Sequence, residues 1–215
     1  MKEKSPSHKR LRLTVVAGFP SVCLARCCTQ QTTRMAYVTS SFFARDTIEV
    51  ARDLIGTVLV VGPCEGRIVE TEAYTTDAAS HSVTRPRQSI AMQQTSGRVY
   101  VYFIYGMYYC LNFTTDRDGP GAVLIRAVQP LRGIDVMCER RRTDEIKKLA
   151  SGPGRLCQAF AIDLGFNGER IGQRIKVRSR REAVEVATSR RIGISKAVDL
   201  DWRFYEIGNP FVSGR

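Results

Sequence analysis

The sequence predicts a single domain of mixed α and β structure, on three observations. The chain has 215 residues, and no linker or internal repeat divides it. Two pairs of β-rich runs each meet at a tight turn signal. Patterns with apolar residues three and four apart precede and follow those runs, as in amphipathic helices.

Residues 1–34 stand apart. Lys2, Lys4, Lys9, Arg10, Arg12, Arg26 and Arg34 face only Glu3, and they supply half of the chain's net charge of +12. A secretory signal is disfavoured because Gly18 and Pro20 interrupt the apolar patch. The preferred reading is a disordered basic tail with affinity for polyanions. A transit peptide, or translation starting at Met35, are the alternatives.

Structure is expected from residue 40 onward. Ile48, Ala51, Leu54 and Ile55 form a helical stripe, with Asp46 and Glu49 placed as a capping box and Gly56 as the stop. Residues 57–61 are a β-branched run, Gly62-Pro63 a turn, and residues 67–74 the returning strand. Residues 75–96 read as a long loop with a short helix near Ala91; such loops inside a compact domain are usually functional. Residues 98–105 and 108–114 make a second hairpin around Gly106, and residues 122–127 a further strand. A helix is predicted over residues 131–150, with a basic face that reads equally as solvated or phosphate-contacting, and a short one over residues 155–161. Later strands are expected at residues 174–177, 185–194 and 202–205.

Composition narrows the function classes. Hydrophobic residues at 43% and charged residues at 25% are ordinary for a globular protein. No apolar run is long enough to span a bilayer as a helix. A pI near 9.7 points to a polyanionic partner. Cys23, Cys27, Cys28, Cys64, Cys110, Cys138 and Cys157 are odd in number and contain no CxxC pair, which suits a reducing compartment better than a disulfide framework. With only His8 and His81 available, no metal site is expected.

The chemistry-bearing residues crowd between residues 66 and 112. Glu70, Glu72 and Tyr74 share one face of a strand by period two. A lone Glu-x-Glu is more often a solvated face. Here Tyr74, His81, Tyr102 and Tyr105 supply aromatic surfaces to converge with a carboxylate. Tyr105 sits at a hairpin tip, where an aromatic ring is best explained as a wedge for a partner. Aromatic walls, a carboxylate and a basic surface suit an enzyme that pulls a base out of duplex DNA.

The chain resembles the alkyladenine (3-methyladenine) DNA glycosylases from about Phe43 to Ser213. The resemblance rests on Gly66-Arg67-Ile68-Val69-Glu70-Thr71-Glu72-Ala73-Tyr74, on Ala79-Ser80-His81-Ser82, and on the run from Val99 to Asn112. Val123-Leu124-Ile125-Arg126-Ala127, Gly152-Pro153-Gly154-Arg155-Leu156-Cys157-Gln158-Ala159 and Arg203-Phe204-Tyr205 complete it. Several long motifs in order are far more specific than any one of them.

The resemblance implies a mixed α+β domain built on a largely antiparallel, curved sheet with surrounding helices and a protruding β-hairpin. It implies that Glu72 activates water, with Arg126 and the backbone carbonyl of Ile192 helping to hold it. Tyr74, His81 and Tyr102 would stack on the flipped purine, Asn112 would line its pocket, and Tyr105, with Met107 nearby, would fill the gap in the duplex. The implied reaction is monofunctional hydrolysis of the N-glycosidic bond of alkylated or deaminated purines, with no metal or organic cofactor. The implied partner is double-stranded DNA containing damaged purines, bound by a monomer away from membranes. That places it in the cytoplasm or nucleoid of a bacterium, or the nucleus or an organelle of a eukaryote.

The chain departs from the family at Arg85-Pro86-Arg87-Gln88, where the usual pattern is Thr-Pro-Arg-Asn, and at Met92-Gln93 in place of Met-Phe. A non-catalytic nucleic-acid-binding module and a hydrolase of free nucleosides are the competing readings.

Overall fold

The structure, a computed structural model, describes residues 36–214, so the basic tail expected over residues 1–34 lies outside the described residues. Helix α1 (Ser40–Phe43) leads into α2 (Thr47–Asp53). The Asp46 carboxylate accepts the N–H groups of Ile48 at 2.9 Å and Glu49 at 3.0 Å, a cap worth about 1 kcal/mol. Val50, Ala51, Leu54 and Ile55 are fully buried, and Gly56 leaves the helix at φ +84°. Strand β1 (Val58–Val61) turns at Gly62-Pro63 into β2 (Cys64–Tyr74), with Val61 opposite Cys64.

Helices α3 (His81–Thr84) and α4 (Ile90–Gln94) follow. The second hairpin is β3 (Val99–Ile104) and β4 (Tyr108–Thr115). Its tip is left-handed at Tyr105 (φ 54°) and Gly106 (φ 67°). Strand β5 (Gly121–Arg132) leads into α5 (Ile134–Arg141) and then α6 (Pro153–Phe160). Strands β6 (Ile175–Arg178), β7 (Val186–Ser189) and β8 (Arg203–Glu206) complete the chain. The sheet is antiparallel and curved, in the order β3-β4-β5-β2-β1-β6. Strand β8 pairs with β2, and β7 with β8.

Three expectations are corrected. The helix predicted over residues 131–150 is much shorter, because β5 runs on to Arg132 and Arg142 adopts a left-handed conformation (φ 51°) that stops α5 after Arg141. A short 3-10 turn at Ile146–Lys148 occupies part of the remainder. The arginines there are not one solvated stripe: Arg140 donates to the Ala159 carbonyl at 3.0 Å and Arg141 to the Leu149 carbonyl at 3.1 Å. The strand expected over residues 185–194 ends at Ser189. The loop over residues 75–96 holds α3 as well as the anticipated helix near Ala91.

Strand register sorts the sheet into two faces. Tyr100 lies opposite Asn112, Tyr102 opposite Cys110, Asn112 opposite Leu124, Glu72 opposite Leu124 and Tyr74 opposite Ala122. Directly opposed residues project to the same side, so these residues share one face. Val99, Val101, Leu111, Phe113, Val123, Ile125 and Ala73 share the other and enter the hydrophobic core. There Phe113 meets Phe43 edge-on, with ring centroids 5.6 Å apart.

Besides a shift between Glu65 and Gly66, two adjacent irregularities break the alternation beside the cavity. Ile68 pairs with Val128, Glu70 with Ala127 and Thr71 with Ile125, which leaves Val69 and Arg126 without partners between β2 and β5. Each is the extra residue of a bulge. Bulges re-aim side chains, and this pair sits where Glu70, Glu72 and Arg126 converge.

Candidate active site

The polar face of the sheet floors a cavity of about 480 Å³, within the usual range for small-ligand sites. Tyr74, His81, Tyr100, Tyr102, Asn112, Leu124 and Arg126 line it, and Ile192 and Gly193 close one side. His81 meets Tyr102 edge-on with ring centroids 4.4 Å apart, and Tyr100 lies 5.7 Å from Tyr102. The Tyr100 hydroxyl is 2.9 Å from His81 Nδ1 and fixes the imidazole's orientation. Burial, aided by the Arg85 charge, lowers the His81 pKa to about 4, so the ring is neutral near pH 7. Burial pushes Tyr100 up to about 12 and raises Tyr102 and Cys110 as well. These walls are therefore uncharged near neutral pH.

Beneath the cavity lies a layer of paired charge. Glu70 and Glu72 are fully buried, which excludes the solvated-face reading of this Glu-x-Glu. Glu72 Oε2 accepts from the Tyr74 hydroxyl at 2.8 Å and from an Arg126 guanidinium nitrogen at 3.2 Å. Glu72 Oε1 accepts the backbone N–H of Ile192 at 2.7 Å. A carboxylate has about four acceptor positions, so roughly one remains for a water. The same Arg126 nitrogen also reaches the Ile192 carbonyl at 3.5 Å. Burial alone would depress the Arg126 pKa, but the two carboxylates outweigh it and raise it. Burial, reinforced by the Glu72 charge, raises Tyr74, so its hydroxyl stays protonated and donates.

The structure places the expected residues in two groups. Glu72, Arg126, Ile192, Tyr74, His81, Tyr102 and Asn112 surround or underlie the cavity. Asn112 is held by its amide donating to the carbonyls of Tyr100 at 3.1 Å and Cys110 at 3.3 Å. Tyr105 also reaches the cavity lining, at the rim. It is 76% exposed at the hairpin tip, and Met107 is 64% exposed.

Sequence reasoning assigned no role to Arg191, Asp77, Arg203 or Lys196. Arg191 forms an ion pair with Asp77 at 2.7 Å and donates to the Ala73 carbonyl at 3.0 Å. Its guanidinium lies 4.7 Å from the Tyr74 ring centre, on the path between the end of β2 and the loop that carries Ile192. Burial would raise the Asp77 carboxyl, but hydrogen bonds from Arg191 and the Ala79 and Thr75 amides hold it below its ordinary value. Arg203 binds Glu70 at 2.6 Å. Arg203 stood inside a recognised motif and Arg191 directly precedes Ile192, but nothing local marked either as buried. Lys196 also lies on the cavity wall.

Among the described residues, no group of His, Cys, Asp and Glu is arranged to hold a metal ion. Cys64, Cys110, Cys138 and Cys157 are free thiols. None of the described helices is long and apolar enough to cross a membrane.

Residues 41–210 match the family model described as Methylpurine-DNA glycosylase. A protein of Agrobacterium fabrum named "Putative 3-methyladenine DNA glycosylase" is 49% identical over 82% of this chain and 92% of its own length. A protein of Rhizobium johnstonii with the same name is 46% identical over 80% and 87%. One from Methanoculleus marisnigri, again of that name, is 42% identical over 82% and 98%. Matched across most of its length and at these identities, the chain belongs to the methylpurine-DNA glycosylase family.

Proposed function

We propose that this protein is a monofunctional DNA glycosylase that hydrolyses the N-glycosidic bond of alkylated or deaminated purines after flipping them out of the duplex. One observation carries the reading. A fully buried carboxylate, Glu72, with one acceptor position to spare, lies beneath a cavity walled by Tyr74, His81 and Tyr102.

Breaking the bond between C1′ and the base nitrogen builds positive charge on the sugar. Glu72 stabilises that charge and takes a proton from the water that attacks C1′, as carboxylates do in glycoside hydrolysis. The base departs with the bonding electrons. Arg126 and the Ile192 N–H keep Glu72 oriented, and the Ile192 carbonyl is a second acceptor for the water. Neutral aromatic walls stack on a purine without discriminating strongly among bases. A purine alkylated at N3 or N7 carries positive charge, which improves the leaving group and strengthens its attraction to the tyrosine faces. Tyr105 fills the space in the duplex and offsets an unstacking cost of a few kcal/mol. The protein acts on double-stranded DNA as a monomer and uses no cofactor.

The test is release of free base from duplexes carrying 3-methyladenine, 7-methylguanine, hypoxanthine or ethenoadenine. The expected product is free purine plus an abasic strand that stays intact until alkali is added. Borohydride should trap no covalent adduct, even though Lys196 stands on the cavity wall. Tight lesion binding without base release would identify a binding module instead. Turnover of free nucleosides that is insensitive to Tyr105→Ala would identify a nucleoside hydrolase.

A further inference from the structure

Glu70 makes more contacts than a structural carboxylate needs. It is fully buried, and three donors converge on it. Its Oε1 accepts from Arg203 Nε at 2.6 Å and from Arg126 Nε at 3.2 Å. Its Oε2 accepts the backbone N–H of Ser213 at 2.7 Å. Arg126 thus spans two carboxylates, with its Nε on Glu70 and a terminal nitrogen on Glu72 and the Ile192 carbonyl. Arg126 also lines the cavity. Without Glu70 it is tethered at only one end and is free to extend toward the space a base would occupy.

We infer that Glu70 is a positioning residue, which acts through Arg126 on Glu72, and that the C-terminal segment latches it in place through the Ser213 amide. The inference rests on the glycosylase reading above. The two carboxylates and two guanidiniums balance in charge, so the layer can stay buried. Removing one partner of such a set leaves an uncompensated charge. The Ser213 bond joins residues 143 apart in sequence, so the end of the chain reports directly on the cavity floor. The groups facing Glu72 are Tyr74 from its own strand, Arg126 and the Ile192 amide, with Cys110 and Glu70 further off. None of these except Arg126 can transmit a change at Glu70 along a continuous set of hydrogen bonds.

Glu70→Gln keeps the shape but puts an amide NH2 against either the arginines or the Ser213 N–H, donor against donor. Ser213→Pro removes the backbone N–H and leaves Glu70 itself intact. The experiment measures single-turnover excision and lesion-duplex affinity for wild type, Glu70→Gln, Ser213→Pro, Glu72→Gln and the Glu70→Gln/Glu72→Gln double variant.

Glu70→Gln is expected to slow excision by about 10- to 100-fold, since a displaced catalytic group about 1 Å out of place has effects of that order. Affinity should stay within about twofold, and the double variant should be no slower than Glu72→Gln alone, because coupled residues are not additive. Ser213→Pro should slow excision in the same direction by less. It carries the test by itself if Glu70→Gln does not fold.

Wild-type excision by Glu70→Gln overturns the inference and leaves the glycosylase reading standing. So does an additive double variant, or a parallel loss of affinity and rate. A wild-type protein that releases no base overturns both.

Discussion

The charged floor and the hairpin tip differ in almost every physical respect, although the resemblance gives both a part in the same reaction. On the floor, Glu72 is fully buried with three donors on it, and its neighbours Arg126 and Glu70 are held from two directions. At the tip, Tyr105 and Met107 lie mostly in solvent, and Tyr105 adopts a left-handed backbone, uncommon for a side chain of its size. Under the proposed function, the contrast would divide two tasks within one sheet. A group that must act on a bond is fixed before the substrate arrives. A group that must enter a partner is left exposed, because its contacts lie in the partner. Substitutions on the floor should therefore change chemistry, and those at the tip should change engagement.

The largest effect is expected for Glu72→Gln. It should reduce excision by about 10²- to 10⁴-fold, the usual contribution of a positioned acid–base group, while lesion-duplex affinity survives. If single-turnover excision persists within a few-fold, the floor is not where the chemistry happens. Tyr105→Ala comes next and sharpens the contrast from the other side. Removal of an exposed ring should leave stability within about 0.5 kcal/mol of wild type. Its excision of a lesion in duplex DNA should fall by about tenfold, given an unstacking cost of a few kcal/mol that the ring helps offset. Equal losses on single-stranded and duplex substrates would break the comparison.

The smallest effect concerns pH. The His81 pKa is lowered from 6.5 to about 4 by burial and by Arg85. The unfolded chain therefore binds the proton first as pH falls. The stability that His81 contributes is present above about pH 6.5 and is lost as pH drops toward 4. A thermal-melt series should show that decline, and His81→Gln should flatten its contribution. An unchanged slope in the variant would show that another group carries it.

Much of the positioning scaffold was legible in the sequence because it is encoded locally. Asp46 and Glu49 mark the start of α2, and Gly62-Pro63 and Gly106 mark the two hairpins. Period two put Glu70, Glu72 and Tyr74 on one side of β2. What stayed hidden depends on contacts between distant residues. Arg191 meets Asp77 across 114 residues and Arg203 meets Glu70 across 133, separations that leave no periodic trace. The helix expected over residues 131–150 is too long because nothing local announces that β5 runs on to Arg132 or that Arg142 turns left-handed. Its basic run reads equally as a solvated or a phosphate-contacting face, yet Arg140 and Arg141 donate to the carbonyls of Ala159 and Leu149. Spacing alone cannot distinguish an arginine in water from one bound to a backbone carbonyl.

The paired bulges at Val69 and Arg126 make the two strands interdependent in length. Each offset cancels the other, so pairing is back in step by Thr71 and Ile125. Deleting Val69 alone would leave one offset uncancelled. With an alternation of two, a slip of one position turns a strand over. Glu72 and Tyr74 would then point into the oily interior, and Ala73 would take their place toward the cavity. Lineages descended from this gene should tolerate insertions or losses here only in matched pairs, one on each strand, much as a second frameshift restores a reading frame.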